Sequence, residues 1–389
     1  MKNVIIVGPA YPYRGGIADT NERIAIELIK REIKCEVYSF KKLYPKILFP
    51  GKTQYAKEKK LNPNLLVHSK INSTNIFNWI KVGFEIRKKK PDVLLFRYWT
   101  PFLSLCYSLI TLIVKTNRST KIITLVDNFY PHERFFGDKL FSYIFIHLME
   151  GCIVMSLSVM SEILTVRKKI DIEYCPHPLF DDYGEIISKN IARKSLKLDE
   201  NKKYILFFGF VREYKGLDLL LEAFQKAANV IQDLNLIIAG EFYQSKKEYE
   251  ELIEKFNIKD KITIYDQFIP HSLVPYFFCS VDLVVLPYKS ATQSGIVQIA
   301  YHFNKPLIVT NVGALPDIVV NNVTGYVVEP NSSAIAYAII KYFSENNEEK
   351  FSKNIFEEKK KYSWDRMIET IFFLYEKIIR KKYGILSNN

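Results

Sequence analysis

Short apolar runs alternate with amphipathic stretches along most of the chain, and the alternation predicts the elements. Residues 4–7 read as a buried strand, 19–31 carry helical periodicity, 35–39 read as a strand and 76–89 as an amphipathic helix. Runs at 91–96 and 121–126 predict two further buried strands with a helix over 102–114 between them, followed by a helix at 140–149 and a strand at 152–156. Strand, crossover helix and strand repeated in this way imply a parallel doubly wound sheet.

The pattern lapses between about 175 and 203 into Pro176, Pro178, acidic residues and Lys/Asn-rich sequence, as a domain linker would. It then restarts. Strands are predicted at 204–209, 234–239, 262–265, 283–286 and 306–310, with helices at 217–228, 249–256, 273–279 and 294–303. The stretch from Gly313 to Val319 reads as a turn with a short helix, and Val323-Thr324-Gly325-Tyr326-Val327-Val328 as a hairpin-like return. A last helix is expected over 364–381. The reading is therefore α/β with two doubly wound domains, at 1–185 and 186–362, and a terminal helix within 363–389. Ligands of such sheets sit at the carboxyl ends of the strands, so a cleft between facing domains is the expected active site.

At 389 residues and 48% hydrophobic, the chain can bury more than one core. Its five cysteines are odd in number and scattered, so neither a disulfide framework nor a paired CxxC zinc site is suggested. With an opening strand in place of a signal peptide's longer apolar region, the expectation is a reducing cytoplasm. The net charge of +13 is uneven: residues 1–190 hold 29 Lys+Arg against 18 Asp+Glu, and the remainder 26 against 24. A basic first half can be drawn to nucleic acid or to the anionic inner face of a membrane. The Lys-rich segment 41–60, with Tyr44, Ile47, Leu48, Phe49 and Tyr55, favours the membrane. The longest uncharged stretch, 98–114, is too short to span a bilayer and is expected as a buried core helix.

Candidate chemistry lies at strand ends. Arg212-Glu213-Tyr214-Lys215-Gly216 follows an apolar run ending in Gly209-Phe210 and precedes a helix. Arginine offers a bidentate fork and lysine a point charge, a pair suited to adjacent phosphate oxygens and to charge on a departing diphosphate; the bland alternative is an exposed basic loop. The loop after the first strand holds Gly15-Gly16, able to expose amides to an anion or sugar. Asp127, Asn128 and His132 follow another strand, where His132 suits hydrogen bonding or proton transfer, or else caps a turn. Thr292-Gln293-Ser294-Gly295 opens a helix whose free amides can take a phosphate, although Ser294 can equally serve as a simple cap. Glu241, after Ala239-Gly240, can meet a ligand hydroxyl or merely cap.

In this order the motifs resemble those of the retaining family 4 glycosyltransferases. The likeness runs through the Gly15-Gly16 loop, the Arg212 to Gly216 element, Ala239-Gly240-Glu241, Val281-Asp282-Leu283-Val284-Val285-Leu286-Pro287, Asn304-Lys305-Pro306, and the stretch from Gly313 to Gly325. The resemblance implies the GT-B architecture of two facing Rossmann-like domains with a terminal helix crossing back to the first. It implies a nucleotide-sugar donor in the second domain, its diphosphate held by Arg212 and Lys215, and an acceptor in the first. No metal or other cofactor is implied. The chain departs from the family where a spaced pair of glutamates is common: those positions fall on Ala291 and Ile299, leaving Thr292, Gln293 and Gln298 as the nearest polar substitutes. A histidine often found in the first domain is replaced by Asp127, so that Asp127, Asn128 or His132 would fill its role.

The resulting expectation is a retaining hexosyltransferase of the bacterial surface-polysaccharide type, peripheral on the inner face of the plasma membrane. It would act on a glycan or lipid-linked glycan, without nucleic acid as a partner. The catalytic candidates are Arg212, Lys215, His132 and Asp127. The donor-binding candidates are Gly15, Gly16, Gly209, Glu241, Thr292, Gln293, Ser294, Gly295 and Gln298. A nucleotide-sugar epimerase or hydrolase of the same fold is the alternative, together with a non-catalytic sugar-nucleotide-binding relative. The first of these would want acid and base carboxylates that the strand-end loops largely lack.

Overall fold

The computed structural model describes residues 1–44, 54–56, 63–130, 137–181, 183–243, 245–291 and 294–382. The chain divides into two units, one formed by residues 1–176 together with 364–389 and the other by residues 177–363. The division thus falls at Pro176, ahead of the boundary expected at 185, and the terminal helix belongs to the first unit.

The first unit runs β1 (Asn3–Val7), α1 (Gly16–Lys30), β2 (Lys34–Lys42), β3 (Leu66–Asn72), α2 (Ile76–Lys89), β4 (Val93–Tyr98), α3 (Ser104–Lys115), β5 (Lys121–Val126), α4 (Asp138–Leu148), β6 (Gly151–Val154), α5 (Leu157–Val166) and β7 (Asp171–Tyr174). Among the described residues its seven strands form one sheet in the order β3-β2-β1-β4-β5-β6-β7. The pairings are parallel, as in Ile5 opposite Leu94 and Ile123 opposite Gly151. β4 and β5 are buried along their whole length because helices cover both faces, which is why they read as unbroken apolar runs. β3 and β7 had no such signal: each is an edge strand, β3 with His68-Ser69-Lys70 at its centre. The uncharged stretch behaves differently from the buried helix expected of it. α3 buries Cys106, Tyr107, Ile110 and Val114 but leaves Leu105 and Leu112 exposed.

The second unit runs α6 (Lys189–Ser195), β8 (Lys203–Phe208), α7 (Leu217–Ala228), β9 (Leu234–Ala239), α8 (Lys246–Lys255), β10 (Ile262–Tyr265), α9 (Val274–Ser280), β11 (Leu283–Leu286), α10 (Gly295–His302), β12 (Leu307–Thr310), α11 (Leu315–Ile318), β13 (Gly325–Val328), α12 (Ser332–Ser344) and α13 (Glu348–Glu358). Six strands among the described residues form the sheet β10-β9-β8-β11-β12-β13. The hairpin-like return expected near 325 is instead a sixth parallel strand, with Leu307 opposite Gly325. The intervening turn and α11 give the chain the length to cross back, which a hairpin does not need. Asp282 locks the base of the central strands: it accepts from the Tyr204 amide at 2.7 Å and pairs with Lys189 at 2.7 Å and Arg193 at 3.1 Å.

The last helix, α14 (Trp364–Lys382), packs Met367, Ile368, Ile371 and Leu374 onto the first unit's sheet beside Ile24 and Leu28 of α1. That spacing is one face of a helix. The Arg23 guanidinium lies 5.4 Å from the Trp364 ring centroid, Arg31 pairs with Asp365, and Lys377 reaches Glu173 of β7 at 2.7 Å.

Candidate functional site

In both sheets the strand order reverses beside the first strand: at β1 and β4 in one, at β8 and β11 in the other. The crevice outside the carboxyl ends at such a reversal is where open α/β sheets take ligands. Two segments of the second unit lie there. One leaves β8 through Gly209 and reaches α7 by way of Arg212 and Lys215; the other leaves β11 through Pro287 and Tyr288 and reaches α10.

The first segment is a tight structure. Glu213, Tyr214 and Lys215 make one turn of 3₁₀ helix closed by the Lys215 amide to the Arg212 carbonyl at 3.0 Å. Gly216 then takes φ 67°, and a Cβ there would stand 2.0 Å from the Pro287 carbonyl oxygen, so glycine is what lets the two segments touch. The Lys289 amide donates to the Tyr214 carbonyl at 2.7 Å, and Lys289 pairs with Asp218 at 2.8 Å. These contacts fix the turn that presents the two cations.

Arg212 stands over the Tyr243 ring, 4.8 Å from its centroid, and Lys215 is 5.4 Å from that of Tyr288. Among the described residues neither cation has a carboxylate within salt-bridge distance. Lys215 is only 9% exposed. Burial, and then the Arg212 charge beside it, push its ammonium down to about 8. A Cβ on Gly209 would lie 3.2 Å from Lys215 Nζ and 3.4 Å from Ile296 Cδ1, which puts the ammonium between the end of β8 and the first turn of α10. Two adjacent cations backed by aromatic faces and left without anions can hold a diphosphate.

The remaining donor-binding candidates of this unit gather at the same strand ends. Ser294 occupies the cap position of α10 but makes no side-chain cap bond; its hydroxyl lies 3.3 Å from that of Tyr288, so the simple capping role does not apply. Gly295 opens the helix. Gln298, one turn on, is 0% exposed and neither its amide oxygen nor its nitrogen has a hydrogen-bond partner among the described residues. Buried polar groups are nearly always paired, so this amide is the most conspicuous polar feature of α10. Glu241 is buried, its carbonyl accepting from the Val211 amide at 2.9 Å. Ile299, where the family resemblance leads one to expect a glutamate, is a core residue of the unit. Thr292 and Gln293 lie outside the described residues.

In the first unit, Gly15 precedes α1 and Gly16 opens it, and a side chain at Gly15 would meet no atom within 4 Å. Asp127 does something other than what was expected of it. Its carboxylate takes both arms of Arg97, at 2.5 and 2.6 Å, with each residue almost fully buried at the ends of β4 and β5. A carboxylate so held is a structural anchor and poorly suited to proton transfer. His132 lies outside the described residues, as does most of the Lys-rich segment at 41–60. Arg97 was not legible beforehand, because an arginine inside an apolar strand run reads as an interruption. Tyr243 and Tyr288 were legible only as aromatics following strand ends.

Two parallel-sheet α/β units with this strand order define a GT-B protein. Residues 188–361 match the family described as glycosyl transferases group 1. Over 192 residues the chain is 27% identical to an uncharacterized glycosyltransferase of Methanocaldococcus jannaschii, covering 47% of each protein. Over 135 residues it is 28% identical to the lipopolysaccharide core biosynthesis mannosyltransferase LpsB of Rhizobium meliloti, covering 34% of this chain and 38% of that protein. The chain thus spans less than half the length of these curated relatives. In three dimensions it is similar to Anabaena HepE in complex with UDP and glucose, with TM-score 0.73 and 14% identity over 96% of this chain and 99% of that one. At that identity the likeness speaks for the fold.

Proposed function

We propose that this protein is a retaining glycosyltransferase that moves a hexose from a nucleoside-diphosphate sugar to a glycan or lipid-linked glycan in bacterial surface-polysaccharide synthesis. The observation that carries the reading is the pair Arg212 and Lys215, two cations side by side at the β8/β11 reversal with no carboxylate among the described residues to neutralise them. When the bond from the anomeric carbon to the diphosphate oxygen breaks, negative charge grows on that oxygen, and fixed cations there stabilise the transition state more than the ground state. Ser294 and Gly295 bring the amide end of α10 to the donor, and Gln298 supplies polar contacts in place of the glutamate that Ile299 replaces. Gly209, Glu241, Thr292 and Gln293 complete the donor side. Gly15, Gly16 and His132 belong to the unit assigned to the acceptor. The bound UDP in HepE and the lipopolysaccharide role in LpsB's name support the donor and product classes.

Because the two side chains supply the positive charge, the reaction needs no metal, and transfer should proceed undiminished in EDTA. Association with the anionic inner face of the plasma membrane is supported by the basic first half of the chain. The reading is tested by incubating the protein with a panel of nucleotide sugars and bacterial membrane lipids and analysing the products by mass spectrometry. A glycosylated lipid or glycan with the donor's anomeric configuration is expected. Donor conversion without any acceptor, or no turnover of any donor, would contradict it.

A further inference from the structure

The uncharged stretch around α3 is where the fold breaks its own rule of apolar inside and polar outside. α3 carries no charged residue before Lys115, yet only one of its faces is packed. Its neighbours share the feature. α2, α3 and α4 lie side by side on one face of the first unit's sheet and send Val82, Ile110 and Phe145 into a common core. On the opposite side they expose Phe77 and Phe84, Leu105 and Leu112, and Leu140 and Tyr143, with Phe77 at 80% exposure. Single apolar residues at a surface are ordinary, but six large ones on the outward sides of three adjoining helices are more than that.

Their arrangement is directional. Phe77, Leu105 and Leu140 each lie in the first turn of their helix. Helices that cross between parallel strands run opposite to them, so these first turns border the edge of the sheet where the strands end and ligands are taken. Cations are interleaved with the apolar groups. On α2, Phe77, Lys81, Phe84 and Lys88 follow one another along a single helical stripe, and Lys139 precedes Leu140 on α4. The acidic residues of these helices are Glu85 and Asp138, and Glu85 is already engaged by Lys70 at 2.6 Å and by the Tyr38 hydroxyl at 2.7 Å. The surface is therefore apolar with excess positive charge, the chemistry of an anionic bilayer interface: rings and leucines enter among the headgroups while lysine ammoniums remain at the phosphate level. Among the described residues no helix is long and apolar enough to cross a membrane.

We propose that the outward face of α2, α3 and α4 is the membrane-docking surface of this protein, seated on anionic phospholipid with its Phe77, Leu105, Leu140 rim lowest. The proposal rests on the membrane association put forward above and names the surface responsible for it. It also explains how a lipid-linked acceptor would reach the strand ends of the first unit without leaving the bilayer.

The test is co-sedimentation of the full chain with phosphatidylcholine vesicles, with and without phosphatidylglycerol. Binding that requires phosphatidylglycerol and weakens with added salt is expected. The variant Phe77→Ser, Leu105→Ser, Leu140→Ser, and separately Lys81→Gln, Lys88→Gln, should each weaken it roughly tenfold or more. Both should keep wild-type melting and wild-type affinity for a nucleoside diphosphate, which the second unit would bind. If the wild type binds and the variants bind equally well, this surface is wrong and membrane association stands. If the wild type binds neither vesicle, both ideas fall. A chain that self-associates through these residues, shown by sedimentation velocity, with vesicle binding unchanged in the variants, would replace the membrane with a second copy of the protein.

Discussion

Lys215 is a cation in a place that disfavours cations. Burial and Arg212 bring its pKa down to about 8, whereas an unfolded lysine titrates near ~10.4. The sign follows directly. Below about pH 8 the native and unfolded states both hold the proton, and the burial penalty is fully present. Between there and about 10 the unfolded state binds more protons, so this group's contribution to stability rises with pH. A bound diphosphate reverses the preference by favouring the charged form. Nucleoside diphosphate binding near pH 8 should therefore take up protons, and its affinity should fall as pH rises through that value. Calorimetry in buffers of different ionisation enthalpy reads both, and a flat profile from pH 7 to 9 would remove Lys215 from the site. Asp127 leads to a different prediction. Asp127→Asn leaves the buried Arg97 charge without its partner and should destabilise the first unit by about 3–5 kcal/mol, measured by urea unfolding. A variant that lost activity with stability unchanged would restore Asp127 to the chemistry.

Among the elements, α10 joins the core to the proposed donor site. Val297 and Ile299 pack inward, while Gln298 is buried with both amide atoms unpaired among the described residues. An amide in that state costs about 1–3 kcal/mol unless something pairs with it. Gln298→Leu should therefore leave the ligand-free protein as stable or more stable, and weaken the thermal stabilisation that a nucleoside diphosphate sugar provides. Equal stabilisation of variant and wild type by donor would assign the glutamine to packing alone. The same scale shows what could be read beforehand. β4, β5, β8, β9, β11 and β12 were legible because burial on both faces writes an uninterrupted apolar run, and β10, although at the sheet edge, because Ile262 and Ile264 alternate with Thr263. β3 and β7 were not, since an edge strand is exposed on one side and its composition, as in Leu66-Val67-His68-Ser69-Lys70, resembles a loop. β13 was missed as a parallel strand because a short strand and its turn look alike whether the chain reverses or crosses over.

For the whole molecule, the order of strands and helices was legible as two doubly wound sheets, and the position of Arg212 and Lys215 after the first strand of the second was legible with it. What pattern could not supply was contact at a distance in sequence: Arg97 on Asp127, Gly216 against Pro287, and the Tyr243 and Tyr288 rings beneath the two cations. Those contacts turn a basic loop into a shaped pair of charges. They also leave the account with one principal dependence, that sugar transfer uses Lys215. The direct measurement is the rate of nucleoside diphosphate release in the presence of donor and membrane-lipid acceptor, for the wild type and for Lys215→Ala. The account predicts a loss of about 100-fold or more with circular dichroism and melting unchanged, and undiminished turnover in the variant would contradict it.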